Sequence, residues 1–219
     1  MATRKGKAHS GEYTGKVGPT VLSPWKNIMT MRSLPGRRKK VKSAKLIQQN
    51  ELFKMVMNFL NGSLPAIRIG YQQTRKASMT QANAATSYHL LNAVVQGPEG
   101  AGIDMAKIRL SKSIWPTQPA WKPGIVAEAD RMIRVSWQLN PFPHKSTRLD
   151  DQAVVVFYDD QLKKFLELKE PADRAAGVYT MKAHSSTVGH NYFCYLFMVS
   201  ADGKLVSETQ YLGMVTIMA

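Results

Sequence analysis

The stretch Asn191–Val199, "NYFCYLFMV", restricts the possible folds more than any other part of the chain. Both of its alternate sets, Tyr192, Cys194, Leu196 and Met198 on one side and Phe193, Tyr195, Phe197 and Val199 on the other, are apolar. Successive side chains of a strand point to opposite faces, so this strand must be central in a sheet that is covered front and back. "SADGK" follows it, and Asp202-Gly203 is a strong hairpin turn. A fold with one sheet face in water is thereby excluded for this region.

The neighbouring pattern extends the reading. "ADRMIRVSW", "QAVVVFYD", "KKFLELK", "GVYTMKA", "LVSETQY" and "GMVTIM" are short runs rich in β-branched and aromatic residues, separated by turn residues. Strands at hairpin spacing over the last hundred or so residues predict a β-sandwich. Upstream, "DMAKIRLSKSIW" alternates Met105, Lys107 and Arg109 against Ala106, Ile108 and Leu110, which predicts one more strand, and "PTQPAWKPG" reads as a Pro-rich joint.

The first half has a different period. Leu52, Met55, Val56, Phe59 and Leu60 recur at the spacing of one buried helix face, stopped by Gly62 and Pro65. "LPAIRIGYQQ" predicts a short second helix with Pro65 in its first turn. A third begins at the N-cap candidate Thr80, with Ala84, Tyr88, Leu91 and Val95 as its expected apolar stripe and Gly97-Pro98 as its end. A small helical bundle accounts for these segments. Before them, "VLSPWKNIMTMRSL" predicts a hairpin turning at Lys26-Asn27, its first half limited by Pro24 to an edge strand. The fold class expected is therefore α+β: a small N-terminal β-hairpin with a basic Gly-rich arm (residues 1–41), a helical region with a following strand (42–114), and a C-terminal immunoglobulin-like β-sandwich (115–219).

Two resemblances attach to these residues. "RMIRVSW", ending on Trp137, resembles the second strand of fibronectin type III and related immunoglobulin-like domains, and "HNYFCYLFMVSADGKLVSE" resembles their sixth strand and following hairpin, with Tyr192 at the tyrosine that opens the strand. Over its full length the chain is also similar to an uncharacterised bacterial family. The matching residues are "TGKVG" (Thr14–Gly18), Trp25, Arg32–Pro35, Leu64–Gly70, Asn83–Ala93 and "YLGMV" (Tyr211–Val215). That resemblance implies a recurring two-part design and no particular activity.

Candidate chemistry is sparse. "GEYTGKVGPT" falls short of a phosphate loop, because Gly11 and Gly15 are one residue too close and Val17 stands where a magnesium-binding hydroxyl would be required; a turn before a hairpin fits it better. His9, His89, His144, His184 and His190 show no metal-ligand spacing, and no metal or other cofactor is expected. Cys194, the one cysteine, lies mid-strand as a small buried hydrophobe and excludes an internal disulfide framework. Asp150, Asp151, Asp159 and Asp160 read as turn residues at strand ends rather than paired catalytic acids. The chain is not expected to be an enzyme.

Charge carries the functional signal. The formal net charge is +15. Residues 1–50 hold 12 Lys and Arg against one acid (+11), residues 51–150 hold 12 against 6 (+6), and residues 151–219 hold 6 against 8 (−2). "PGRRKKVKSAKL" packs Arg37, Arg38, Lys39, Lys40, Lys42 and Lys45 ahead of the first helix, where cations oppose the helix dipole, so the run is not placed to stabilise that helix. With Arg4, Lys5, Lys7 and Lys16 it forms a candidate binding surface for nucleic acid or another polyanion, contacting backbone rather than bases since no base-reading motif is present. A protein partner or self-association through the sandwich and the N-terminal arm completes the expectation. The alternative is a structural subunit of a larger assembly, such as a phage-like particle, with the arm ordered on a neighbour. The basic N-terminus has no apolar core behind it, and no stretch approaches the roughly 18 apolar residues of a span. A cytoplasmic location, or packaging from the cytoplasm into a particle, is expected, with no membrane partner.

Overall fold

Gly18, at φ +56°, and Pro19 fold the chain back between two antiparallel strands, and this turn organises the N-terminal sheet. The computed structural model describes residues 2–4, 13–25, 28–34, 43–72, 79–97, 100–114, 116–166 and 170–219. The chain divides into two compact units, Met1–Ile47 with Lys76–Ser78, and Gln48–Arg75 with Met79–Ala219.

The first unit contains a four-stranded antiparallel meander, β1 (Ala2–Arg4), β2 (Tyr13–Val17), β3 (Thr20–Trp25) and β4 (Ile28–Ser33), in that order. The expected hairpin is thus the second half of a larger sheet. The "TGKVG" segment is strand β2 and the turn after it, which leaves no phosphate loop there. β3 is internal, contrary to the edge position anticipated from Pro24. Pro24 is tolerated because β2 pairs only with Thr20–Leu22, whereas Pro24 faces Met29 of β4 beyond the end of β2 pairing.

Three α-helices follow among the described residues. α1 (Ala44–Asn61) starts where the Ser43 hydroxyl accepts the Leu46 N–H at 3.3 Å. Val56 and Leu60 are buried, with Met55 and Phe59 packed beside them, as the spacing predicts. α2 (Leu64–Gly70) carries Pro65 in its first turn, where the missing N–H costs nothing. α3 (Gln81–Asn92) is capped by Thr80, whose Oγ1 accepts the Asn83 N–H at 3.1 Å. Its buried face is Ala85, Thr86 and His89, leading to Ala93, and not the anticipated stripe, since Leu91 is 82% exposed. Small residues let the helix lie close to its neighbours, with Ala84 and Leu90 partly buried beside them and Leu91 outside. The helix stops at Asn92, and Val95 belongs to a hairpin of β5 (Val94–Gly97) and β6 (Gly100–Ile103).

The alternation at residues 105–110 is not a strand. Met105–Lys107 form one 3₁₀ turn, capped by Asp104 Oδ1 on the Ala106 N–H at 3.0 Å. Ile108 and Leu110 point inward from a segment held by partners other than a strand: Arg109 N–H donates to His89 Nε2, Ser111 N–H to Thr209 Oγ1, and Lys112 N–H to the Gly70 carbonyl. An extended chain alternates whether or not a strand pairs with it.

β7 (Trp121–Glu128), β8 (Met132–Gln138), β9 (Gln152–Asp159), β10 (Lys164–Phe165), β11 (Ala172–Asp173), β12 (Val178–Lys182), β13 (Asn191–Val199) and β14 (Gln210–Thr216) make the sandwich. One sheet has the order β10-β9-β13-β14, with β11 also paired to β9, and the other is β12-β8-β7. β7 escapes detection in the sequence because a bulge between Trp121 and Gly124, with Lys122 at φ +46°, interrupts its pattern at Pro123. Asp130 and Arg131, both at positive φ, turn it into β8. The last two expected strands are a single one, β14, which runs through Gly213 at φ +107°.

β13 is central, and its two faces serve two cores. Tyr192, Cys194, Leu196 and Met198, with Ala153, Val155 and Phe157 of β9, meet Ile133, Val135 and Trp137 of the opposite sheet. Tyr195, Phe197 and Val199, with Val154, Val156 and Tyr158, lie under the helices against Val56, Ile67, Tyr71 and Leu110. The helical region is therefore a layer on the sandwich rather than a bundle with its own core. Each large apolar side chain so buried contributes about 1.5–3 kcal/mol. Closest approach falls at Gly70, where a Cβ would stand 2.1 Å from the Leu110 carbonyl oxygen.

Candidate functional site

In the N-terminal sheet, register decides which cations share a face. Lys16 pairs with Val21 and Val21 with Arg32, so Lys16, Val21 and Arg32 form one rung and the two exposed cations lie on one side of the sheet. The Ser23 and Thr30 hydroxyls, 3.0 Å apart, occupy the next position of that face. Among the described residues of this unit there is no Asp or Glu, and neither cation forms an ion pair. Arg4 ends β1 opposite Tyr13, and Lys45 is exposed in the first turn of α1, which has no acidic residue. Lys5, Lys7, Arg37, Arg38, Lys39, Lys40 and Lys42 lie outside the described residues. Of the two cations of residues 1–50 that the sequence-derived set omits, Lys26 lies outside the described residues and Arg32 is placed opposite Val21. Counting back from the Gly18-Pro19 turn would have found it, because that turn fixes the register.

A second feature lies on the sandwich, in the loop of residues 139–151 between β8 and β9. Its base is an ion pair buried on both sides, Arg174 Nη2 to Asp151 Oδ2 at 3.2 Å. Arg174 also donates to the Gln118 carbonyl at 2.7 Å, while its own carbonyl accepts the Trp137 indole N–H at 2.9 Å. Desolvation works against the Arg174 charge and the Asp151 carboxylate holds it in place. Asp151 thus does more than the turn role expected of it: its Oδ2 also accepts the Arg148 N–H at 3.2 Å.

Other ionisable groups are structural in their placement. His89 is wholly buried, with Nδ1 2.7 Å from the Ala85 carbonyl and Nε2 accepting from Arg109 N–H at 3.2 Å. Only the neutral ring with its proton on Nδ1 satisfies both, and burial lowers its pKa from the usual value. Asp159, also buried, caps a turn as anticipated by accepting the Gln161 and Leu162 N–H groups; its other oxygen lies 2.8 Å from His190 Nδ1, a pairing the sequence does not reveal. Desolvation pushes the buried Cys194 thiol far up, away from the reactive thiolate. Among the described residues no group of three or more His, Cys, Asp or Glu side chains gathers to hold a metal, and no helix is long and apolar enough to cross a membrane.

A three-stranded sheet facing a longer one around the buried Trp137, with Tyr192 and Cys194 in the central strand, defines an immunoglobulin-like, fibronectin type III-like sandwich that carries an added helical layer. The chain belongs to the Family of unknown function (DUF6266), whose family model matches residues 11–213. No curated protein matches it. Similar solved structures include the twitchin kinase region from C. elegans (Fn31-NL-kin-CRD-Ig26), at 14% identity and TM-score 0.36 over 48% of this chain and 17% of that one. The fn3 domain of human collagen alpha-1(XX) chain is similar at 14% identity and TM-score 0.35, over 50% of this chain and 91% of that one. The chain thus spans about a sixth of the twitchin chain's length.

Proposed function

We propose that this is a non-enzymatic binding protein whose basic N-terminal region engages nucleic acid or another polyanion without sequence specificity, while the sandwich mediates protein contacts. The observation that carries the first half is the face holding Lys16 and Arg32, which are exposed, on one rung, and in a unit with no described acid. The net +11 of residues 1–50 adds to it. Such a field attracts phosphates and releases their counterions, and without a base-reading element it is indifferent to sequence. The test is fluorescence anisotropy of a labelled duplex titrated with the full chain at several salt concentrations. Affinity falls steeply with salt on unrelated sequences, and replacing Arg37, Arg38, Lys39 and Lys40 by Gln flattens the slope by about 0.9 per lost phosphate contact. A salt-independent or unchanged affinity contradicts the reading.

A second reading, a structural subunit of an assembly, is favoured by the opposite face of the same sheet. Leu22 and Met31 share a rung there, Val17 and Met29 lie on the same side, and Met31 is 73% exposed. A sheet apolar on one face is stable when a second layer covers it, and in an assembly a neighbouring subunit supplies that layer. Self-association that persists at high salt, and that weakens on deletion of residues 1–20, supports this reading over the first.

A further inference from the structure

Between β8 and β9 the chain reads Leu139-Asn-Pro-Phe-Pro-His-Lys-Ser-Thr-Arg-Leu149, and its large apolar side chains face outward: Phe142 is 82% exposed, Leu149 61% and Leu139 50%. Exposed leucines are common on protein surfaces, but a phenylalanine at this exposure between two prolines is not explained by the fold. Nor is the loop loosely tethered. Asn140 Oδ1 accepts the Phe142 N–H at 2.8 Å, and the Gln118 side chain spans the loop, donating to the Phe142 carbonyl and accepting from His144 N–H and Thr147 Oγ1. Its far end is closed by Ala175 N–H on the Leu149 carbonyl at 3.0 Å and by the buried pair of Asp151 and Arg174. These bonds fix the backbone on either side of Phe142 before any partner arrives, so binding there costs little ordering entropy. Rigidly presented aromatics dominate protein-protein interfaces.

Charge selects the partner. Lys145 and Arg148 are exposed, and among the described residues neither forms an ion pair. We propose that this loop is a protein-docking element in which Phe142 is the apolar anchor and Lys145 and Arg148 meet carboxylates, so that its partner is an acidic protein segment bearing a large apolar side chain. The proposal rests on the reading that the sandwich makes protein contacts and deepens it by naming the surface. A bilayer is a poorer fit, because a single aromatic between satisfied backbone groups offers a knob rather than an apolar plane.

The probe is a displayed library of random 15-residue peptides selected on the full-length protein in nuclease-treated buffer. Enriched peptides are expected to combine Asp or Glu with an aromatic or aliphatic residue. Their affinity is expected to fall at least about tenfold, near 1.4 kcal/mol, on Phe142→Ser. Lys145→Glu with Arg148→Glu should weaken them by a similar factor, and each variant should keep the wild-type melting midpoint. Peptides that bind F142S as tightly overturn the loop assignment while leaving protein contact by the sandwich standing. Absence of any enrichment overturns both. Phosphatidylserine vesicles that retain the wild type and release F142S, with no peptide enriched, overturn the proposal in favour of a membrane.

Discussion

Asp151 and Arg174 are each almost wholly buried and lie 3.2 Å apart, Oδ2 to Nη2, at the point where β9 begins and the 139–151 loop ends. Removing one member leaves the other charge in the interior without its partner, which costs about 3–5 kcal/mol. Arg174→Met and Asp151→Ala should each lower the urea midpoint by that equivalent, and the double variant should cost less than their sum. Asp150→Ala, at an exposed position of the same loop, should stay within about 0.5 kcal/mol. Equal effects at 150 and 151 would show that the ion pair does not hold the loop.

Gly70 passes under the extended segment 108–112, with a Cβ position 2.1 Å from the Leu110 carbonyl oxygen and 2.6 Å from Ser111 Cα. Both obstacles are backbone, so Gly70→Ala must displace the segment and break the Lys112 N–H bond to the Gly70 carbonyl. A loss of about 1–3 kcal/mol in chemical denaturation is expected. Gly102→Ala, whose nearest obstacle is a Val95 methyl at 4.0 Å, should be close to neutral.

His89 gives stability a pH dependence with a definite sign. Its folded pKa lies below the unfolded value of 6.5 because the ring is desolvated, and the protonated ring would turn a second N–H on the Arg109 N–H. Between the two values the unfolded chain binds more protons, so His89's contribution is complete above about pH 6.5 and is lost as pH falls from there toward the folded value. Melting midpoints recorded from pH 8 to pH 5 should decline below 6.5 in the wild type. The decline should flatten in His89→Gln, at the expense of lower stability throughout. A parallel decline in the variant would assign the effect to other groups.

Lys16 and Arg32 should behave as equivalent phosphate contacts despite lying 16 residues apart, because register puts them either side of Val21. Replacing either by Gln should weaken duplex binding equally on any sequence and reduce the salt slope by about 0.9. A change confined to one sequence would contradict backbone-directed binding.

The parts of the fold legible in the sequence are those where side-chain size and burial coincide. β9 and β13 are apolar on both faces because one face meets the second sheet and the other meets the helices, and α1 shows its buried stripe plainly in Val56 and Leu60. Legibility fails where close packing uses small or polar residues. α3 buries Ala85, Thr86 and His89 and leaves Leu91 in solvent, so a search for large apolar residues picks the wrong stripe. β7 is hidden by its bulge, and residues 105–110 imitate a strand because Ile108 and Leu110 point into the helical layer without strand pairing. At the candidate sites, the cation run is a matter of composition and is plain. The partnership of Lys16 with Arg32, and the bracing of Phe142 by Gln118, depend on register and on contacts across 24 residues.

Light scattering coupled to size-exclusion chromatography on nuclease-treated full-length protein, with and without duplex DNA at low and high salt, distinguishes polyanion binding by the basic N-terminal region from assembly. A monomer that moves onto DNA at low salt and leaves it at high salt is the predicted result. A large species that persists at high salt without nucleic acid would contradict it and make the N-terminal region an assembly device.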